Sequence, residues 1–152
     1  MTGSAPPRPR RRTAALCGVL SALLAAGCAA APREPEQLRL ARQYFADNNA
    51  TARRGPQAQQ DFFHRTQHPD FADRTCDLDR TTVELDPALS TLRPDPGFTV
   101  DGTRPRGSPW VVAVEVTTRR DGSITGHQIG SQHLVLLNGS AYAFAPCPTE
   151  GR

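Results

Sequence analysis

The sequence contains no lysine, and it has only one methionine, one tryptophan and four cysteines. All 18 basic residues are therefore arginine, a bias that reflects codon use and not a dedicated binding surface. The chain also lacks a Cys-x-x-Cys pair, the Gly-x-Ser-x-Gly elbow of many hydrolases, and the glycine-rich loops that bind phosphates or dinucleotides. These absences exclude the enzyme classes that depend on such motifs, and the sequence predicts no cofactor.

The first part of the chain has the layout of an export signal. Arg8, Arg10, Arg11 and Arg12 precede a stretch, from 13 to 31, that has no charged residue. This stretch is rich in alanine and poor in strongly apolar residues, whereas a membrane-spanning helix needs roughly 20 predominantly apolar residues in succession. The pattern predicts a cleaved signal peptide at 1–27 and not a membrane span.

The stretch ends in Leu24-Ala25-Ala26-Gly27-Cys28, which resembles the lipobox of bacterial lipoproteins. The resemblance covers residues 1–28. It implies cleavage after Gly27, a diacylglycerol on the thiol of Cys28, and a protein that is lipid-anchored at the extracytoplasmic face of the cell membrane. The alternative is an ordinary secretory signal that is cut at an Ala-Ala-Ala site near Ala31.

Removal of residues 1–27 changes the charge of the chain. It takes away four of the 18 basic residues and none of the 15 acidic ones, so the formal charge falls from +3 to −1. A nucleic-acid partner is not expected, because such proteins present a basic surface. The mature chain is predicted to consist of a lipidated linker at 28–35, one domain at 36–148 and a tail at 149–152.

Cys76 and Cys147 are the two thiols that remain once Cys17 has left with the signal and Cys28 is acylated. An even pair of cysteines in an exported domain predicts a disulfide. Such a bond would stabilise the fold by about 4 kcal/mol if it acts by restricting the unfolded chain. A catalytic or metal-binding cysteine is the alternative, although neither residue lies in a ligand cluster.

Apolar spacing predicts two helices at the start of the domain. The first should run over 34–53, with Leu38, Ala41 and Phe45 along one side, and the second over 56–67. A Gly-Pro step separates the two, because glycine commonly ends a helix and proline commonly begins one.

The rest of the domain predicts an antiparallel sheet. A bulged strand at 76–86 should be followed by a helical turn that ends at Leu92 and by a brief strand at 98–101. Alternating apolar and polar residues then predict three strands joined by two-residue turns at Asp121-Gly122 and Asn138-Gly139. The predicted fold class is α+β, with two N-terminal helices packed on a curved antiparallel sheet that ends in a three-stranded meander.

If both turns are tight, they fix which residues lie opposite each other. Val114 should lie opposite Ile129, Trp110 opposite His133, and His133 opposite Phe144. One face of the sheet would then collect a set of apolar residues: Trp110, Val112, Val114, Val116, Ile129, Val135, Leu137, Tyr142 and Phe144. The two helices would cover this face.

His133 is the candidate catalytic residue. The predicted register places it in an apolar pocket with Trp110, Tyr142 and Phe144, where it is either an acid/base or a core histidine bonded to a backbone carbonyl or a water. In the same register His127 and Glu115 fall on opposite faces and do not form an acid/base pair.

His64 and His68 are four residues apart on the second predicted helix, with Asp70 close by. Two histidines at this spacing can hold a divalent metal. No third ligand is identifiable and no glutamate adjoins His64, so the sequence favours a solvated helix end and predicts no metal site.

The order of elements over residues 34–147 resembles the cone-shaped domain of the nuclear transport factor two-like superfamily. That resemblance implies a cavity between helices and sheet, which some members use for catalysis and others only for binding. We expect a membrane-tethered extracytoplasmic domain that binds an envelope protein or a small ligand and is not an enzyme. The alternative is a small isomerase- or dehydratase-type enzyme with His133 as its acid/base.

Overall fold

Two helices begin the part of the chain that this computed structural model describes, residues 33–145. Helix α1 spans Glu36–Arg54 and helix α2 spans Pro56–Thr66, with Gly55 between them. Gly55 has a φ of 113°, which residues with a side chain rarely adopt. A proline then begins α2, where the N–H group that it lacks would have had no helical partner. The predicted Gly-Pro break between two helices is confirmed.

Five strands form one antiparallel sheet on which the helices pack. The strands are β1 (Thr81–Pro87), β2 (Arg93–Pro94), β3 (Ser108–Arg120), β4 (Ser123–Leu137) and β5 (Ser140–Ala143). Their order in the sheet is β1-β3-β4-β5, and β2 also pairs with β3. Single 3₁₀ turns lie at Pro69–Phe71 and Leu89–Thr91. The sheet is curved, and the predicted α+β class is confirmed.

Strand β1 begins later than predicted. Residues 76–80 do not form a bulged strand, and Asp79 has a positive φ of 50° within a turn. The side chain of Gln60 bonds this segment instead: the N–H of Leu78 donates to Oε1 at 2.8 Å, and Nε2 donates to the carbonyl of Cys76 at 2.7 Å. A side chain therefore takes the hydrogen bonds that a neighbouring strand would have made.

Both predicted hairpin turns are present. At Asp121-Gly122 and at Asn138-Gly139 the two central residues have positive φ values, between 50° and 81°. This is the geometry that matches the natural twist of paired strands. The brief strand predicted at 98–101 is absent, since that segment makes only an isolated bridge between Val100 and Thr103.

A β-bulge close to the first turn changes the register of everything beyond it. Arg119 lies opposite Ile124, but Thr118 lies opposite Gly126, so Thr125 is an extra residue in β4. Because side chains alternate between the two faces, one extra residue moves every later β4 side chain to the face opposite the predicted one.

The predicted register between β3 and β4 is therefore wrong. Val114 lies opposite Gly130, and Ile129 points away from the helices with 83% of its surface exposed. His133 lies opposite Val111, one residue from its predicted partner Trp110.

The core lies between the helices and the face of the sheet that carries Val112, Val114 and Leu134. Its other members come mainly from the helices and β1: Ala41, Tyr44, Phe45, Phe62, Phe63, Leu78, Val83, Leu85 and Ala143. The predicted positions of Val112 and Val114 on the core face are confirmed.

Val135 is fully buried on the other face of the sheet, opposite Tyr142 as the second turn predicts. The segment before β3 passes closely over it. Gly107 has a φ of 104°, and a Cβ there would meet the carbonyl oxygen of Leu136 at 2.6 Å and the side chain of Val135 at 2.8 Å. Glycine is needed at this position for both its conformation and its size.

Side-chain amides from the helices seal the outer edge of β1. The N–H of Val83 donates to Oε1 of Gln59 at 2.9 Å, and Nε2 of Gln59 donates back to the Val83 carbonyl at 2.6 Å. Asn49 makes the same pair of bonds with Leu85, at 2.9 and 2.8 Å. Each amide thus replaces one peptide group of a missing neighbouring strand, and edge strands are commonly covered in this way by other elements.

Candidate functional site

A cleft of about 1220 Å³ opens on the concave face of the sheet, towards the Asp121-Gly122 turn. Its lining includes Leu85, Val114, Val116, Thr118, Gln128 and Gln132. The cleft is larger than the roughly 300–1,000 Å³ that is usual for small-molecule pockets. It therefore has room for an extended or bulky ligand.

Strand β4 forms a side of the cleft that has small and polar residues. Gly126, Gln128, Gly130 and Gln132 lie opposite alternate residues of β3 and share the concave face. A Cβ at Gly130 would meet nothing within 4 Å, so the space above it is open. The main chain at Gly130 lies next to the exposed amide of Gln128, which can both donate and accept hydrogen bonds. Gln132 is buried, and its Nε2 donates to the Phe144 carbonyl at 3.1 Å.

Charges at the rim of the cleft largely neutralise one another. Arg74 pairs with Asp101, and Arg120 pairs with Asp79 at 3.0 Å. The carboxylate of Asp77 accepts the backbone N–H of Asp79. The two rim arginines Arg74 and Arg120 therefore already have carboxylate partners.

His133 lies at the edge of the cleft, but not in the predicted pocket. Its ring stacks on Phe98 with centroids 3.9 Å apart, and its Nε2 lies 2.9 Å from a carboxylate oxygen of Asp95. About 23% of the His133 side chain is exposed. Of the predicted pocket residues, Phe144 also lines the cleft, whereas Trp110 and Tyr142 do not. The bulge separates His133 from Trp110, because it moves His133 to the opposite face of the sheet.

His68 is fully buried and has a structural role. The N–H of Asp70 donates to its Nδ1 at 3.1 Å, so the ring proton is assigned to Nε2, which lies 2.9 Å from the Arg106 carbonyl. Its ring also stacks on Phe144. Both ring nitrogens are thus engaged, while His64 lies on the exposed side of α2 and contacts Gln60. Within residues 33–145 no group of three His, Cys, Asp or Glu side chains is arranged to hold a metal ion.

Asp70 is part of the same cluster and ties two loops together. Its carboxylate accepts from the guanidinium of Arg106 at 2.5 and 2.9 Å and from the backbone N–H of Arg106 at 3.1 Å. These bonds, with a smaller contribution from the charge of Arg106, lower the pKa of Asp70 to about 2.

His127 and Glu115 do form a pair, contrary to the prediction. Nε2 of His127 lies 2.5 Å from Oε1 of Glu115 on the face opposite the cleft. The shifted register puts both residues on that face, beside Ile129. Both side chains are more than half exposed, so the pair is a surface contact and not a buried acid/base site.

Sequence reasoning missed the residues that shape the cleft on β4. Gly126, Gln128, Gly130 and Gln132 share one parity, and this alternation of glycine and glutamine was the available signal. It indicates a strand face with little side-chain bulk and with paired hydrogen-bonding capacity.

The predicted lipidation site and one predicted disulfide partner lie outside the described residues. Residues 1–32, with Cys28, and residues 146–152, with Cys147, are not described. Cys76 and Ala145, the last described residue, both line the cleft. The pairing of the two cysteines stays a prediction.

Among residues 33–145 no helix is long and apolar enough to cross a membrane. Comparisons with known proteins gave no match: no family model matches the sequence, and neither a curated protein nor a solved structure matches it significantly.

Proposed function

We propose that the protein is a membrane-tethered extracytoplasmic lipoprotein domain that binds a ligand in the concave cleft and does not transform it. The observation that carries this proposal is the open cleft beside the bare backbone of β4. A large concave site with a few directed polar groups is the usual form of a binding site.

The chemistry of the lining supports an uncharged, elongated ligand. The half-buried Val116 offers apolar contact, and the exposed Gln128 offers an amide donor and acceptor beside it. The arginines at the rim are already paired with carboxylates. A segment of polypeptide from an envelope protein, or a neutral small molecule, fits this combination.

The overall arrangement is consistent with a cone of the nuclear transport factor two-like kind, in which a cavity between helices and sheet receives the ligand. The α+β class and the position of the cleft support this proposal. They do not select between catalytic and non-catalytic members.

Tethering to the membrane rests on the lipobox-like residues before Cys28. We expect the mature chain to begin at Cys28 and to carry a diacylglycerol on its thiol. Mass spectrometry of the protein extracted from membranes measures this directly. A mature chain that begins elsewhere, or a Cys28→Ala variant that stays quantitatively in the membrane fraction, would contradict the tether.

Two adjacent threonines on β3 provide a matched test of the cleft. Thr118 lines the cleft and Thr117 points to the opposite face, and both are half-buried. A photo-crosslinking amino acid placed at Thr118 in the exported protein should capture a specific envelope component, and the same amino acid at Thr117 should not. Equal capture from both positions, or capture only from Thr117, would overturn the cleft as the binding site.

A cavity enzyme is the second candidate, and one observation favours it. The carboxylate of Asp95 holds Nε2 of His133, which is how carboxylates orient catalytic histidines. Acylation with diethyl pyrocarbonate, mapped by mass spectrometry, tests whether His133 is reactive. The exposed His64 and His127 serve as internal controls, and an unmodified His133 under conditions that modify both would contradict the enzyme hypothesis.

A further inference from the structure

Within residues 33–145, strand β4 leaves a long edge without a strand partner. Strand β5 pairs only with residues 134–137 of β4, so residues 123–132 pair with β3 on one side and with no described strand on the other. No side chain in the described range bonds to the backbone of this segment. Unpaired edges of this kind are templates for a further strand.

The edge has almost none of the features that protect a strand from pairing. Strand β4 contains no proline and no charged residue other than its histidines. The two most exposed large apolar residues in the described range, Ile124 at 60% and Ile129 at 83%, both lie in this segment. Its one protective feature is the bulge beside Thr125, close to the turn. The edge beyond the bulge is regular, neutral and partly apolar.

We infer that this edge pairs with the same edge of a second copy of the chain, in antiparallel orientation about a two-fold axis. The neutrality of the strand favours this occupant, because self-pairing places identical residues near one another and a charged strand would repel itself. A two-fold arrangement is also closed, so it uses the edge completely and does not propagate.

The register with its axis at Gln128 pairs residues 124–132 of the two copies, which is nearly all of the free segment. Ile129 of one copy then lies opposite His127 of the other, on the exposed face of the sheet. Gln128, Gly126 and Gly130 of both copies share the concave face, because opposed residues in an antiparallel pair always lie on the same face. The two clefts thereby join, and each copy closes the open side of the other. This last consequence rests on the proposed binding function, whereas the dimer itself does not.

The test is the mass of the mature, lipidated protein in detergent, measured by multi-angle light scattering over a wide range of concentrations. The wild-type protein should form a dimer. Ile129→Lys places two like charges close to the axis and should raise the dissociation constant by about tenfold or more. Ala46→Lys, at an exposed position of α1, is the matched control and should leave the dimer intact.

Each outcome decides the inference. Ile129 is largely exposed, so the variant should keep the circular dichroism spectrum and thermal unfolding of the wild type. A wild-type protein that is monomeric at every concentration would overturn the inference. Dimers that persist in both Ile129→Lys and Gln128→Lys would also overturn it, since the contact would then lie elsewhere. Monomers that still show capture at Thr118 contradict the dimer alone, and dimers without such capture contradict the cleft function alone.

Discussion

The two edges of the sheet are completed in opposite ways. On the β1 side, Gln59 and Asn49 bond the outward backbone groups of Val83 and Leu85, so those groups are not available to another strand. On the β4 side, residues 123–132 have no such cover within the described chain. The edge of β1 is thus covered by uncharged amide side chains. In the described part of the chain the second edge has no such cover, and pairing with a second copy would supply it.

The seal on β1 is strong because its members satisfy one another. Nε2 of the fully buried Gln59 donates both to the Val83 carbonyl and, at 2.9 Å, to Oδ1 of Asn48. The amide of Asn48 in turn donates to the same carbonyl at 3.1 Å. Buried amides destabilise a fold unless they are hydrogen-bonded, so the loss of one member leaves several groups without partners.

The largest effect on stability is expected from the predicted Cys76–Cys147 disulfide. This bond would link the end of the chain to the segment that precedes β1. Replacing Cys147 with alanine should lower the free energy of unfolding by about 4 kcal/mol, measured by urea denaturation. Non-reducing peptide mapping provides the control for the bond itself. Recovery of both cysteines as alkylated free thiols from natively exported protein would show that the disulfide does not form.

The next effect should come from Gln59→Leu, which has a similar size but cannot bond the edge. It leaves the N–H and carbonyl of Val83 with fewer partners, and a loss of about 3 kcal/mol in unfolding free energy is expected. Gln57→Leu on the exposed side of the same helix and Gln128→Leu on the open edge are matched controls. Both should change stability by less than about 0.5 kcal/mol. Equal effects at all three positions would remove the distinction between a sealed and an open edge.

Local chemistry in the sequence was enough to predict both hairpin turns and both helices. Asp121-Gly122 and Asn138-Gly139 demand positive φ, and Gly55-Pro56 interrupts a helix, whatever the rest of the chain does. The register was not predictable from the turn alone. The bulge at Thr125, opposite Thr118 and Arg119, is not encoded by the turn residues. It reverses the face of every later β4 residue, and of β5 as well because β5 keeps its predicted pairing with β4.

The amide side chains that cover the edge of β1 are also indicated by the sequence, but more weakly than the turns. Asn48 continues the spacing of Ala41, Tyr44 and Phe45, so it lies within the apolar stripe of α1. Gln59 precedes Phe62 and Phe63 in the same way. A polar residue inside an apolar stripe predicts a buried polar group with a partner. Which backbone groups it bonds depends on β1, more than 20 residues further along the chain, and no local pattern encodes that.

The smallest effect concerns the ion pair between Asp70 and Arg106, whose strength depends on pH. The amide bonds on β1 are neutral and should hold at any pH, whereas Asp70 holds Arg106 only as a carboxylate. Because Arg106 lowers the pKa of Asp70 from 3.8 to about 2, this contribution to stability is complete above the unfolded value and is lost as pH falls through it towards 2. His68, which also faces Asp70, lowers the pKa slightly further.

In urea denaturation, the stability difference between the wild type and Asp70→Asn should be constant above about pH 5 and should shrink below it. The protection factor of the Val83 amide, which is its exchange rate relative to that of an unstructured peptide at the same pH, should not change over the same range unless the protein unfolds globally. A difference that stays constant down to pH 2 would mean that Asp70 contributes through its shape and not through its charge.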